Sequence, residues 1–268
     1  VTSDYHQRDA LIVPPATTDA QLLRCHTARY VSAVTQGGLS DAEIRRIGFP
    51  WSEKLVERSR RSSGATLAAC RAALVDGIAV NLDGGNHHAI SDDGEGYCVF
   101  NDAAVAIRAL QSEGLIRRGC VIDLDVHQGN GTAEIFSDIP EVFTFSMHGK
   151  SNYPFRKEVS DLDVALDPGT PDTLYLELLA TNLQALEEQV KPDFVFYLSG
   201  VDILESDKLG TLGCSLEGCR RRDEMVFKWC RRLQIPVQCS MGGGYSPQLR
   251  TIVSAHATTY RLADQVFF

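Results

Sequence analysis

The 268-residue chain is predicted to be an α/β protein, a single domain built on a mostly parallel β-sheet with helices on both faces. Three features predict it. Short apolar runs rich in β-branched and aromatic residues recur along the chain, segments with helical periodicity separate them, and polar residues gather just beyond the runs. Parallel strands need long crossovers, and helices supply them while covering the sheet.

The elements follow in order. Helical spacing is read at 17–34 and 52–77, joined by the Gly-rich "TQGGLSDAEIRRIGFPW". "GIAVNL" (77–82) is the first strand, and "VFNDAAVAIRALQSEG" (99–114) the helix after it. "CVIDLDV" (120–126) and "VFTFSM" (142–147) are strands too short and too β-branched for free-standing helices. The helix at 171–190 leads to the strand "DFVFYLSG" (193–200), the helix at 215–233 to "IPVQCSM" (235–241), and a last helix covers 246–266. There is no internal repeat, and 268 residues suit one core, so residues 1–268 are expected to form one domain.

Composition narrows the function. Apolar residues make up 44% and charged residues 23%, as in an ordinary globular protein. The 26 Lys and Arg against 35 Asp and Glu leave a formal net charge of −9, which disfavours direct nucleic-acid binding and favours a cationic peptide or amine. No run of eighteen apolar residues exists, and "VTSDYHQRDALIVPP" lacks the features of a signal peptide. Neither membrane nor export is expected; the location read is intracellular, cytoplasmic, or nuclear in a eukaryote. Eight cysteines form no CxxC pair and read as reduced, buried thiols.

In open α/β sheets ligands bind beyond the carboxyl ends of the strands, and the chemistry of this chain collects there. "DGGNHHA" follows the first strand, Asp123, Asp125 and His127 end the second, Asp202 follows "VFYLSG", and "GGGY" follows "VQCSM". In "VIDLDVHQGNG" the three polar residues are spaced i, i+2, i+4, so on an extended segment they share one face. Buried without compensation, they would cost several kcal/mol each and the carboxylates would repel. A divalent cation resolves the conflict, with Asp125, His127 and Asp202 as a candidate set; the bland alternative is a solvent-exposed loop.

These segments together, "GGNHHA", "GEGYCVFND", "VIDLDVHQGNGT", "FSMH", "SGVDILESDKLG" and "GGGY", resemble the zinc-dependent histone deacetylase family, which shares its fold with the arginases. The likeness runs from about residue 20, at "LLRCHTARYV", to the C-terminus, and "DLDVHQGNG" with "RRIGFP" is most similar to the small class IV and bacterial type. The resemblance implies an arginase/deacetylase-like fold and zinc ligands Asp125, His127 and Asp202, although Asp and His ligands also suit Fe(II) or Co(II). It implies His88 as general base, His87 as electrostatic partner or acid, Asp123 orienting His87, and Tyr245 donating to the carbonyl oxygen. Gly96, Tyr97, Tyr153 and Leu209 match the walls of an acyl-lysine channel. A structural potassium ion is implied on the backbone carbonyls of Asp123, Asp125, His127, Ser146 and Met147.

Where class I members carry a second carboxylate beside the second histidine, this chain has Asn130, as class II and class IV members do. The family's first strand and an active-site loop would precede Val1. His26 and Tyr30 read as buried partners on a helix face, His148 as either a layer behind the site or a core residue, and His6 and His256 as silent. The substrate implied is an acylated lysine of a protein or peptide. An acylated small amine such as an acetylpolyamine is the alternative, followed by an idle acyl-lysine binding module. An arginase-type dimanganese site fits least, for want of further Asp and His ligands. The acidic chain is expected to attract basic residues flanking the acyl-lysine.

Overall fold

The computed structural model of the chain describes residues 12–268, which leaves His6 outside the described residues. The strands are β1 (Ile78–Asn81), β2 (Gly119–Asp123), β3 (Val142–Gly149), β4 (Leu162–Leu166), β5 (Phe194–Leu198) and β6 (Val237–Ser240). The helices are α1 (Asp19–Leu22), α2 (Ala28–Gln36), α3 (Asp41–Ile47), α4 (Glu53–Asp76), α5 (Asp102–Ser112), α6 (Asn130–Phe136), α7 (Asp172–Gln189), α8 (Leu216–Leu233) and α9 (Leu249–Phe267). The strands form one open, fully parallel sheet in the order β1-β6-β5-β2-β3-β4.

The period-2 alternation of the central strands feeds two cores. Cys120 and Ile122 of β2, with Val195 and Tyr197 of β5, pack under α7, α8 and α9 against Leu179, Phe227 and Leu262. Val121, Phe194, Phe196 and Leu198 go to the opposite face, against Leu67 and Cys70 of α4 and Ile107 and Leu110 of α5. Both faces are dry, which is why these strands read as nearly continuous apolar runs. Each such Leu or Phe contributes about 2 kcal/mol on burial. A third cluster, with Leu22, Tyr30, Val34, Ile47 and Phe100, ties α1, α2 and α3 to the segment before α5.

The fold class is as expected, with differences in detail. The expected helix at 17–34 is two helices, because the chain breaks at residues 23–27 and Thr27 caps α2 by accepting from the Tyr30 N–H at 3.2 Å. The stretch read as a joining loop contains α3, signalled by a reciprocal cap between Ser40 and Glu43 and by Gly48 in the left-handed conformation. α6 and β4 were not expected; one has seven residues and the other is a five-residue edge strand. β2 ends at Asp123 rather than at residue 126. The Asp123 carboxylate accepts from the Asp125 N–H at 3.1 Å, and the Asp125 carboxylate from the His127 N–H at 3.0 Å, so side chains replace the ladder there. No helix among the described residues is long and apolar enough to cross a membrane.

Candidate active site

The polar residues predicted from strand ends meet beyond the carboxyl ends of the central strands. Asp125 and His127 stand beyond β2, Asp202 beyond β5, and their ligating atoms lie within 4.8 Å of one another, all buried. His127 Nδ1 is 3.0 Å from Asp125 Oδ1 and 3.2 Å from Asp202 Oδ2. The far oxygen of each carboxylate is held by backbone: Gly243 N–H donates to Asp125 Oδ2 at 2.7 Å, and Val126 N–H to Asp202 Oδ1 at 2.9 Å. Asp202 Oδ2 is left buried with no hydrogen bond, an expensive state for a carboxylate oxygen.

The electrostatics make the same point. Burial and the neighbouring Asp125 push the Asp202 carboxyl up to about 7. Burial opposes charge on His127, yet the Asp125 and Asp202 carboxylates beside it outweigh burial and raise the imidazole to about 10. The pair of carboxylates calls for a positive charge at one place. Two carboxylates and one imidazole, preheld by backbone and converging around an orphaned oxygen, fit a divalent transition metal.

The tandem histidines stand beside this cluster. His87 Nδ1 lies 2.6 Å from Asp123 Oδ2, and its Nε2 is 3.9 Å from Asp125 Oδ1. Burial opposes its charge, but Asp123 and Asp125 prevail and raise it to about 9. His88 Nδ1 lies 2.7 Å from Asn130 Oδ1. Burial, and then the charge of His87, hold His88 well below the ordinary imidazole range. The rings are 4.1 Å apart between centroids and are pushed in opposite directions. Such separation assigns different proton roles to neighbouring groups.

The cavity above them, about 460 Å³, is lined by His88, Gly96, Tyr97, Tyr153, Leu209 and Tyr245, so the structure brings the expected wall residues together. Tyr153 stands edge-on to His88 at 4.9 Å, and the Tyr245 ring is 6.4 Å from that of His127. Gly96 has φ +55°, and a Cβ there would meet the His88 ring at 2.6 Å, so only glycine fits. Tyr97 is held at φ +68° by its N–H, which donates to Ile47 O at 2.9 Å, a strained conformation at the cavity wall. Arg45 and Arg46 of α3 line this mouth, and Arg46 is ion-paired with Asp93. Net charge says nothing about where the charges sit.

The remaining histidines separate clearly. His26 accepts from Asn101 N–H at 3.0 Å and its Nδ1 faces Ile90 O at 3.0 Å, while the Tyr30 hydroxyl donates to Val99 O at 2.8 Å; both are structural. His148 lies 3.0 Å from Ser146 Oγ, in the layer behind the site, and His256 is buried against the Gly244 turn that precedes Tyr245. Asp123 and Ser146 are register partners on adjacent strands, which brings together two of the residues named for the second cation.

Asp102 and Arg222 escaped sequence reasoning. Asp102, fully buried, accepts from Asn86 N–H at 2.7 Å and Gly85 N–H at 3.3 Å, and so holds the turn that presents His87. Arg222, also fully buried, donates to Leu124 O at 3.3 Å and Ser199 O at 3.2 Å, behind the segments that carry Asp125 and Asp202. An acid after "FN" and one arginine among "CRRRDE" look like solvated charges; only their burial reveals them.

Fold and site together define an α/β protein of the arginase and deacetylase architecture with a buried Asp-His-Asp group that could hold a metal ion. The family model for the histone deacetylase domain matches residues 2–260, and the chain belongs to that family of deacetylating hydrolases. It is 43% identical over 97% of its length to an uncharacterized protein of Picosynechococcus, spanning 87% of that relative. It is 30% identical to histone deacetylase 2 of Arabidopsis thaliana, with 95% of this chain and 68% of the relative covered. The crystal structure of an HDAC homolog from Aquifex aeolicus superposes with a TM-score of 0.82 at 24% identity, covering 97% of this chain and 74% of the other, which shows the shared fold.

Proposed function

We propose that this chain is a metal-dependent deacylase that hydrolyses the amide of an acylated lysine side chain in a protein or peptide. The observation that carries this reading is the orphaned Oδ2 of Asp202, converging with Asp125 and His127 beside two imidazoles of opposed proton affinity. Residues 1–268 are read as one catalytic unit.

Asp125, His127 and Asp202 would hold a divalent metal, zinc in this reading, with Fe(II) or Co(II) also suited to the ligands, and when bound it would polarise the amide carbonyl and acidify water. Every other task falls to side chains. His88, kept neutral and carrying its Nδ1 proton toward Asn130, offers Nε2 as the base that takes a proton from water. The same nitrogen returns that proton to the departing amine as the C–N bond breaks, so water and amide yield a carboxylic acid and a primary amine. His87, charged by Asp123 and Asp125, stabilises negative charge developing beside it. The Tyr245 hydroxyl donates to the carbonyl oxygen, and burial, then Asp125 and Asp202, push its ionisation upward, which keeps it a donor.

Gly96, Tyr97, Tyr153 and Leu209 form the walls for the aliphatic stem of the substrate, and the carbonyls of Asp123, Asp125, His127, Ser146 and Met147 are read as the cradle of a structural potassium ion. Of the two arginines at the mouth Arg46 is paired with Asp93, and Arg45 repels a polycation, which favours a peptide over an acetylpolyamine. Eight free cysteines, seven of them buried, suit the reducing interior of a cell. The test is a panel of acetyl-lysine peptides, longer acyl-lysine peptides and acetylpolyamines with metal-replete protein. Turnover led by a peptide supports the reading; turnover led by an acetylpolyamine, or by no amide, contradicts it.

A further inference from the structure

The amide of Asn130 does more than replace a carboxylate. Its Oδ1 faces His88 Nδ1 at 2.7 Å, and its Nδ2 donates to Glu95 Oε1 at 2.6 Å. An amide has one accepting end and one donating end, and a flip exchanges them. The Glu95 carboxylate offers only acceptors to this amide. It therefore fixes which end of Asn130 faces the imidazole.

The consequence reaches His88. With Oδ1 toward it, Nδ1 must carry the proton, and the lone pair is left on Nε2. With the amide flipped, Nδ2 would donate to an unprotonated Nδ1, the proton would sit on Nε2, and no base would face the substrate. His88 is buried, and a general base works from its neutral form, so the choice between its two neutral tautomers governs whether it works as a base. Glu95 lies in the turn with Gly96, on the segment that joins the tandem histidines to the channel wall. It also faces Tyr153, whose hydroxyl ionisation is pushed up by burial and by the Glu95 charge.

We propose that Glu95 is a positioning residue that locks the Asn130 amide and through it holds His88 in the Nδ1–H tautomer, a dependence absent wherever the second histidine has a carboxylate of its own. The proposal deepens the deacylase reading and rests on it for its kinetic arm.

Glu95→Gln keeps the volume of the side chain but offers Asn130 either an acceptor or a donor. It is expected to lower kcat about tenfold or more while KM stays within about twofold. In an Asn130→Asp background the imidazole meets an acceptor whatever Glu95 does, and Glu95→Gln is expected to leave kcat unchanged or raise it, since two adjacent carboxylates repel. Equal losses in both backgrounds would assign Glu95 to packing against Tyr153 and overturn the proposal. Nitrogen-15 NMR of the His88 ring in zinc-loaded protein is the arm that needs no turnover. Wild type should show a protonated Nδ1 and a bare Nε2, and Glu95→Gln a mixture of tautomers; identical spectra would overturn the proposal. Wild-type protein inert on every acyl-amine would sink the deacylase reading while these spectra still decide Glu95.

Discussion

Arg222 and Asp223 form an ion pair with no solvent access, Nε to Oδ1 at 2.8 Å, directly behind the two strand ends that carry the candidate metal ligands. Asp223 has further donors in the Tyr197 hydroxyl at 2.5 Å and the Thr259 hydroxyl at 2.6 Å, so the pair is a network rather than an isolated contact. Breaking a buried pair from one side leaves an uncompensated charge, a loss of about 3 to 5 kcal/mol. Arg222→Met should cost that much in denaturant-measured stability. A loss below about 1 kcal/mol would show that the carbonyls of Leu124 and Ser199 do not depend on the guanidinium.

Tyr245 is presented by the turn after β6, with its N–H donating to Asp207 Oδ2 at 2.6 Å. A donor to the developing oxyanion acts in the transition state more than in the bound substrate. Tyr245→Phe should therefore keep fold and metal content and lose about a hundredfold or more in kcat. Near wild-type turnover in the variant would remove the hydroxyl from the mechanism.

Acid should weaken the fold through its buried neutral histidines. Burial lowers His26 from its ordinary 6.5 to about 4, against the opposing bonds to Ile90 and Ser91. The unfolded chain takes up that proton below pH 6.5 and the native chain does not until pH 4, so stability falls as pH falls through this window. The slope from one such group is about 1.4 kcal/mol per pH unit. His26→Gln should flatten the stability curve between pH 6.5 and 4 by about that amount, read by urea unfolding at each pH. An unchanged slope would mean that His26 titrates normally in the fold.

The sequence disclosed the sheet because its central strands are buried on both faces and so are written as plain apolar runs; Phe194–Leu198 is the plainest. It disclosed the cluster because polar residues at strand ends have a spacing. β4 escaped because an edge strand is half solvated, and Leu162–Leu166 alternates too briefly to stand out from loop. Asp102, Arg222 and Glu95 escaped for another reason. Each acts on residues 15 or more positions away in sequence, and nothing in a local pattern tells a buried carboxylate or guanidinium from a solvated one.

The central claim is that Asp125, His127 and Asp202 hold a metal on which amide hydrolysis depends. Elemental analysis paired with turnover of an acyl-lysine peptide, for wild type and for Asp202→Ala, tests it most directly. The account predicts one transition-metal ion per wild-type chain, with metal and turnover lost together in Asp202→Ala and turnover lost on chelation. Wild-type protein without stoichiometric metal that still hydrolyses the peptide in the presence of a strong chelator would contradict it.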